Sequence, residues 1–184
     1  MTTNLQHTDI SLKERVATGE KGIYTVPKFQ RDFVWNTTDI SSLADSIIRG
    51  YPIASLLTIP YNGNLNVGSD PLKTNGSYIN TDTSKLIYIL DGQQRITAIS
   101  KIFLNFDDTN LYYFDLLGIV RDNFPEDIIN QDNSKKLKDT ELLCRIFPRG
   151  KNDEEPPSKY QYRYISGKSI ITGEYSSIVS KFVN

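Results

Sequence analysis

Counting from Ile40, the stretch NTTDISSLADSIIRGYP (residues 36–52) repeats apolar side chains at Leu43, Ala44, Ile47 and Ile48, with polar residues between them. Spacings of three, four, seven and eight place these side chains on one face of an α-helix, so the pattern predicts an amphipathic helix buried along that face. Thr37 or Thr38 can cap its start, and Asp39 suits the positive end of its dipole. Gly50 can end it in the left-handed conformation, and Pro52 prevents its continuation. A second helical pattern runs from Gln93 to Asn105, with Ile96, Ile99, Ile102 and Phe103 as its inner face. Two uninterrupted apolar runs, IASLLTIP (53–60) and KLIYIL (85–90), read as buried strands. GIYTVPKFQRDFVW (22–35) is extended in character, being β-branched and aromatic around a proline.

The remaining segments are weaker in pattern. Residues 1–22 read as a polar entry with a helical turn over Ile10 to Val16. Residues 61–84, rich in Asn, Gly, Ser and Thr, read as a long surface loop or hairpin insertion. LYYFDLLGIV (111–120) and ELLCRIF (141–147) read as strands. PEDIINQDNSKKLKD (125–139) reads as a polar, partly helical connection whose Lys135, Lys136 and Lys138 form a solvated face. A loop over 150–159, a hairpin over 160–175 and a helix over 176–184 complete the chain. Strands alternating with helices through short turns point to an α/β or α+β domain, and we take the α+β class. The expected organisation is an entry segment (1–22) and one domain (23–184) with its motif core at 23–105. Because the last helix finds no partner, the chain reads as the front of something longer or as one subunit of a pair, including a homo-oligomer.

Composition narrows the chemistry. A chain of 184 residues, 38% hydrophobic and 11% aromatic, has enough apolar material for a core. Its net charge of −1 predicts no strong general attraction to DNA or to an anionic membrane. No apolar run approaches the roughly 20 residues needed to span a bilayer, and the N-terminus lacks the pattern of a secretory signal. Cys144 is the only cysteine, so no internal disulfide forms and a reducing cytoplasm is the expected location. His7 is the only histidine, which removes zinc sites built from several His or Cys ligands and disfavours His-based nucleophilic catalysis. Cleavage of DNA by this chain alone is not expected.

The candidate chemistry lies in LDGQQR (90–95). Asp91-Gly92 permits a sharp strand-to-helix turn. The first amides of the following helix lack internal partners and carry a partial positive charge, which favours an anion such as phosphate. Arg95, on the first turn, can grip two phosphate oxygens at once. Gln93 and Gln94 can donate to oxygens or position a water, and Asp91 can cap the helix, hold Arg95 or sit near a magnesium ion. The plain reading is only a turn before a helix, with Gln30-Arg31 on a solvated strand edge, Phe33 and Trp35 in the core, and Gly50-Tyr51-Pro52 as a helix stop.

Taken together, PKFQR (27–31), GYPIASLL (50–57) and LDGQQR (90–95) resemble the N-terminal domain of the GmrSD-type modification-dependent restriction proteins. The hallmark of that family is an aromatic-Gln-Arg stretch followed by Asp-Gly-Gln-Gln-Arg, and the resemblance runs continuously from residue 23 to about 105. The same pieces are similar to the nucleotide-binding core of the ParB/sulfiredoxin superfamily, a small mixed sheet with helices. Gly92 matches its phosphate-cradling turn and Arg95 its phosphate-gripping arginine, while Gln93 and Gln94 occupy the variable pair. No cysteine stands there, so sulfiredoxin-like thiol chemistry is not implied. The resemblance implies a regulatory domain of a restriction or phage-defence system that binds, and hydrolyses with magnesium, a nucleoside triphosphate of unspecified base. Gln30, Arg31, Tyr51, Pro52, Ile53, Ser55, Gly92 and Arg95 are the expected nucleotide contacts, and Asp91, Gln93, Gln94 and Arg95 the expected catalytic set. Lys28, Phe33 and Trp35 are weaker candidates for contacts to nucleic acid. The implied nuclease is a separate His-Asn-His domain or subunit, and DNA is reached through it or through the full-length protein. The alternative is a module that recognises modified DNA or a partner protein without catalysis; a purely structural role for the motif is the third reading.

Overall fold

The computed structural model describes residues 11–20, 23–60, 69–71, 86–116, 142–149 and 163–173. Its elements are α1 (Leu12–Glu20), β1 (Tyr24–Pro27), α2 (Thr37–Ile48), β2 (Leu57–Pro60), β3 (Ser69–Pro71), β4 (Ile87–Asp91), α3 (Gln93–Leu104), β5 (Asn110–Asp115), β6 (Cys144–Pro148), β7 (Tyr164–Ser166) and α4 (Gly167–Thr172). The fold is α+β. One sheet has the order β2-β4-β1-β3, and the other β6-β5-β7. In the first sheet β1 and β4 are parallel, with Tyr24 opposite Ile87 and Thr25 opposite Tyr88, while β2 and β3 add on antiparallel at the edges. Parallel pairing brings the carboxyl ends of β1 and β4 side by side. The loop after Pro27 and the turn after Asp91 therefore meet, and crevices at such strand ends are where open sheets bind ligands.

Helix α3 is the centre of the molecule. Ile96, Thr97, Ala98, Ile99, Ser100, Ile102 and Phe103 are all buried, more of its circumference than an amphipathic surface helix hides. Ile96 packs with Tyr24, Val26 and Ile89 against the first sheet. Ala98, Ile99, Ile102 and Phe103 join α1, α2 and the second sheet through Val16, Ile40, Leu43, Ala44, Tyr112, Phe114 and Ile165. Each fully buried isoleucine contributes about 1.5–3 kcal/mol, so the helix that begins at the motif is firmly held. Phe103 stacks on Phe114 with ring centroids 6.0 Å apart. The Asp45 carboxylate accepts a 2.8 Å bond from the Leu143 N–H and ties α2 to the approach of β6.

Several expectations are corrected. The cap of α2 is Asn36, not Thr37 or Thr38: its side chain accepts from the N–H groups of Thr38 and Asp39, and Asp39 reciprocates to the Asn36 N–H. That reciprocal pair requires a cap three residues before the acid. Gly50 does follow the helix with φ +71. The extended segment 22–35 shortens to Tyr24–Pro27, because Pro27 accepts the Gln30 N–H and the chain turns. The run 53–60 is not a buried strand. Only Leu57–Pro60 pairs, as an edge strand, and it is largely exposed. The hairpin expected over 160–175 is instead the short strand β7 followed by α4. Ser166 caps that helix, and a Cβ on Gly167 would overlap the Ile102 carbonyl. The entry helix is longer than one turn, spanning Leu12–Glu20. The insertion contributes the described strand β3. His7, Lys135, Lys136, Lys138 and the segments 125–139, 150–159 and 176–184, for which the sequence sets expectations, lie outside the described residues.

Candidate anion-binding cleft at the DGQQR turn

Gly92 is the pivot of the cleft. It joins β4 to α3 in the left-handed region, at φ +94 and ψ 13. A Cβ there would overlap the Leu56 Cδ2 atom and stand 3.2 Å from Arg95 Nη2. Backbone conformation and packing therefore both demand glycine. No side chain caps α3, so its leading amides keep the unsatisfied, partly positive character of a helix start.

An open cleft of about 240 Å³ lies over this turn, lined by Gln30, Arg31, Trp35, Asp91, Gly92, Gln93, Gln94 and Arg95. Two segments about 60 residues apart thus converge, as the parallel β1/β4 pair dictates. Gln30 is committed to the sheet: its side-chain amide donates to the carbonyls of Ile89 at 2.6 Å and Leu90 at 2.9 Å. Gln94 is committed to the facing loop, where its Oε1 accepts from the Val34 N–H at 2.9 Å and its Nε2 donates to the Asp32 carbonyl at 3.0 Å. Arg95 donates from Nη1 to the Ile53 carbonyl at 3.2 Å and from Nη2 to Asp91 at 3.0 Å. The Arg95 side chain is 17% exposed and the Asp91 side chain 71%. The pair sits at the mouth of the cleft, and the guanidinium keeps further N–H donors for an anion.

Gln93 and Arg31 line the cleft without a side-chain bond among the described residues. Both keep donors uncommitted to the fold, as Arg95 does in part. Trp35 lines the cleft while packing against the main core. Phe33 packs against that core beneath Lys101, whose ammonium lies 5.1 Å from the ring centre. Tyr51, Pro52, Ile53 and Ser55 lie on the segment between α2 and β2, outside the cleft lining, and Ile53 reaches it through the carbonyl that holds Arg95. Lys28 is exposed in the turn after β1 and does not line the cleft. Among the described residues, no group of three His, Cys, Asp or Glu side chains is placed to hold a metal ion.

The family model described as the N-terminal domain of the GmrSD restriction endonuclease matches residues 12–182. The chain belongs to this family. The match takes in both sheets and all four described helices, so the GmrSD-type domain here extends well beyond the 23–105 motif core. A relative in Methanocaldococcus jannaschii, the uncharacterised protein MJ0686, is 28% identical over 174 residues, covering 78% of this chain and 29% of that protein. The chain thus spans under a third of that relative's length. Among the described residues of this GmrSD-type domain, no helix is long and apolar enough to cross a membrane.

Sequence reasoning did not anticipate three parts of the cleft. Leu56 packs against Gly92, and an exposed Leu57 beside a half-buried Leu56 is an alternation that two adjacent leucines conceal. The Ile53 carbonyl and the backbone of residues 32–34 are main-chain partners, for which side-chain identity carries no signal.

Proposed function

We propose that the chain is a nucleotide-binding, NTP-hydrolysing regulatory domain of a DNA-modification-dependent restriction system. The observation that carries this reading is the convergence of Arg31, Arg95 and an uncapped helix start on one cleft, in a chain of the GmrSD N-terminal family. Phosphate oxygens suit that donor set. Arg31 and the free donors of Arg95 bind them, and the amides after Gly92 complete the cradle. Gln93, rather than the committed Gln94, orients the attacking water. Phosphoryl transfer by positioning and charge stabilisation needs no histidine.

Magnesium fits the site through Asp91, the one carboxylate among the described residues that line the cleft. Magnesium is commonly held by one or two carboxylates, substrate phosphates and waters, and one oxygen of Asp91 is not used by Arg95. When bound, it neutralises developing phosphate charge. Cleavage of DNA falls to a separate nuclease domain or subunit.

Arg31→Ala is the cleaner test, because Arg95 also holds Ile53. It is expected to lower nucleotide affinity at least tenfold and slow phosphate release while leaving the unliganded midpoint of unfolding in place. Unchanged affinity contradicts the assignment. The non-catalytic reading, recognition of modified DNA or of a partner, draws on the exposure of Phe29 and Tyr51, on the segments that carry Gln30 and Ile53. Binding of DNA without any nucleotide turnover favours it.

A further inference from the structure

The large hydrophobic side chains left exposed among the described residues are Phe29 (69% exposed), Val34 (60%), Tyr51 (59%) and Leu57 (45%). Such side chains scattered singly over a surface need no explanation, whereas a group around one cleft does. Phe29 adjoins Gln30, and Val34 adjoins Trp35, both lining residues. The Val34 N–H is itself bonded to Gln94. Tyr51 lies two residues before Ile53, whose carbonyl holds Arg95. Leu57 pairs across the sheet with Asp91. All four lie on segments that carry lining residues or their partners: Phe29 and Val34 on the β1–α2 loop, Tyr51 on the α2–β2 segment and Leu57 at the start of β2.

The size of the cleft gives this rim a use. Pockets that enclose a drug-sized ligand run from about 300 to 1,000 Å³, and this cleft holds about 240 Å³. A nucleoside triphosphate seated by its phosphates thus leaves its base outside the polar cleft. The exposed aromatic rings on the two segments that carry Gln30 and Ile53 are those of Phe29 and Tyr51. We infer that the rim is the base subsite, with Phe29 and Tyr51 as the stacking platforms that hold the nucleobase. This inference rests on the nucleotide reading above. It assigns phosphates to the cleft and base affinity to the rim, a division that makes the two separable by mutation.

The test is calorimetric titration of the 184-residue chain with magnesium, using tripolyphosphate and each of the four ribonucleoside triphosphates as probes. The wild-type chain is expected to bind at least one nucleotide more tightly than tripolyphosphate. Stacking on one ring changes affinity by about 5- to 150-fold, so Phe29→Ala/Tyr51→Ala is expected to remove that margin. Its tripolyphosphate affinity is expected to stay at the wild-type value, because both side chains are exposed and bear no load in the core. Tyr51→Phe, which keeps the ring, is expected to retain nucleotide affinity. Equal nucleotide binding by the wild type and the double variant overturns the rim assignment while leaving the phosphate site standing. Equal wild-type affinity for tripolyphosphate and every nucleotide does the same. Absence of binding by all five probes overturns the nucleotide reading, and the rim assignment falls with it.

Discussion

Gln94 and Val34 are joined across 60 residues of sequence by a 2.9 Å bond from the Val34 N–H to the glutamine Oε1. The other end of the same amide donates to the Asp32 carbonyl at 3.0 Å. One side chain of the DGQQR motif thus satisfies the loop that carries Arg31 to the opposite wall of the cleft. Gln94 belongs to the architecture of the site, and Gln93 is the member of the pair left for a ligand.

Gln94→Ala is therefore expected to cost stability before it costs chemistry. Losing both bonds at this partly solvated position costs about 1 kcal/mol, a fall of about 2–4 °C in the midpoint of thermal unfolding. Gln93→Ala is expected to stay within about 0.5 kcal/mol of wild type. Equal effects of the two substitutions on unliganded unfolding contradict this division of labour.

Gly92→Ala is expected to cost about 2 kcal/mol or more. The residue must hold φ +94 with a Cβ pressed into Leu56 and close to Arg95. The check is urea unfolding, with nucleotide binding measured at a temperature where the variant remains folded.

Ala54 adopts φ +63, also left-handed but without glycine's freedom. Ala54→Gly relieves that conformation and is expected to be neutral or stabilising by up to about 1 kcal/mol. The same change at Ala44, buried within α2, is expected to cost about 1 kcal/mol or more. Comparing the two unfolding midpoints decides whether strain is stored in the segment that Arg95 holds.

Acid is expected to weaken the fold through Asp107. Burial pushes its pKa up, but hydrogen bonds from Tyr112 and Thr109 and the Lys101 charge outweigh that and lower it from 3.8 to about 2. A carboxyl whose folded pKa lies below its unfolded one adds stability that is complete above about pH 4. That stability is lost as pH falls toward 2, amounting to about 2 kcal/mol. Asp107→Asn is expected to be less stable at pH 7 and to lose less between pH 4 and pH 2, as followed by circular dichroism.

Cys144 is expected to resist alkylation in the native state. It is buried, and burial is the main cause raising its pKa to about 12, so almost no thiolate forms at pH 8. Mass-spectrometric labelling with iodoacetamide is expected to proceed only in denaturant. Rapid labelling of the folded chain contradicts the packing of β6 against α2.

What the sequence disclosed and what it hid have physical reasons. The helices α2 and α3 were legible because Ile40, Leu43 and Ala44, and Ile96, Ile99 and Phe103, recur with the helical period and are buried. The turn at Gly92 was legible because an Asp-Gly step between an apolar strand and a helical pattern has few other uses. The expected cap, Thr37 or Thr38, gives way to Asn36 because all three residue types can cap and only the reciprocal bond with Asp39 selects Asn36. The exposure of β2 was hidden because an apolar run looks alike in the core and at a sheet edge. The commitment of Gln94 to residues 32 and 34 was invisible, since its partners are main-chain atoms of a distant loop.

The most direct test of the phosphate site is thermal unfolding of the chain with each of the four nucleoside triphosphates, with and without magnesium. At a hundred times its dissociation constant a ligand adds about 2.7 kcal/mol, or about 5–10 °C for a domain of this size. The predicted result is a magnesium-dependent rise with at least one nucleotide in the wild type that Arg31→Ala abolishes. No rise with any nucleotide contradicts a phosphate site at the DGQQR cleft.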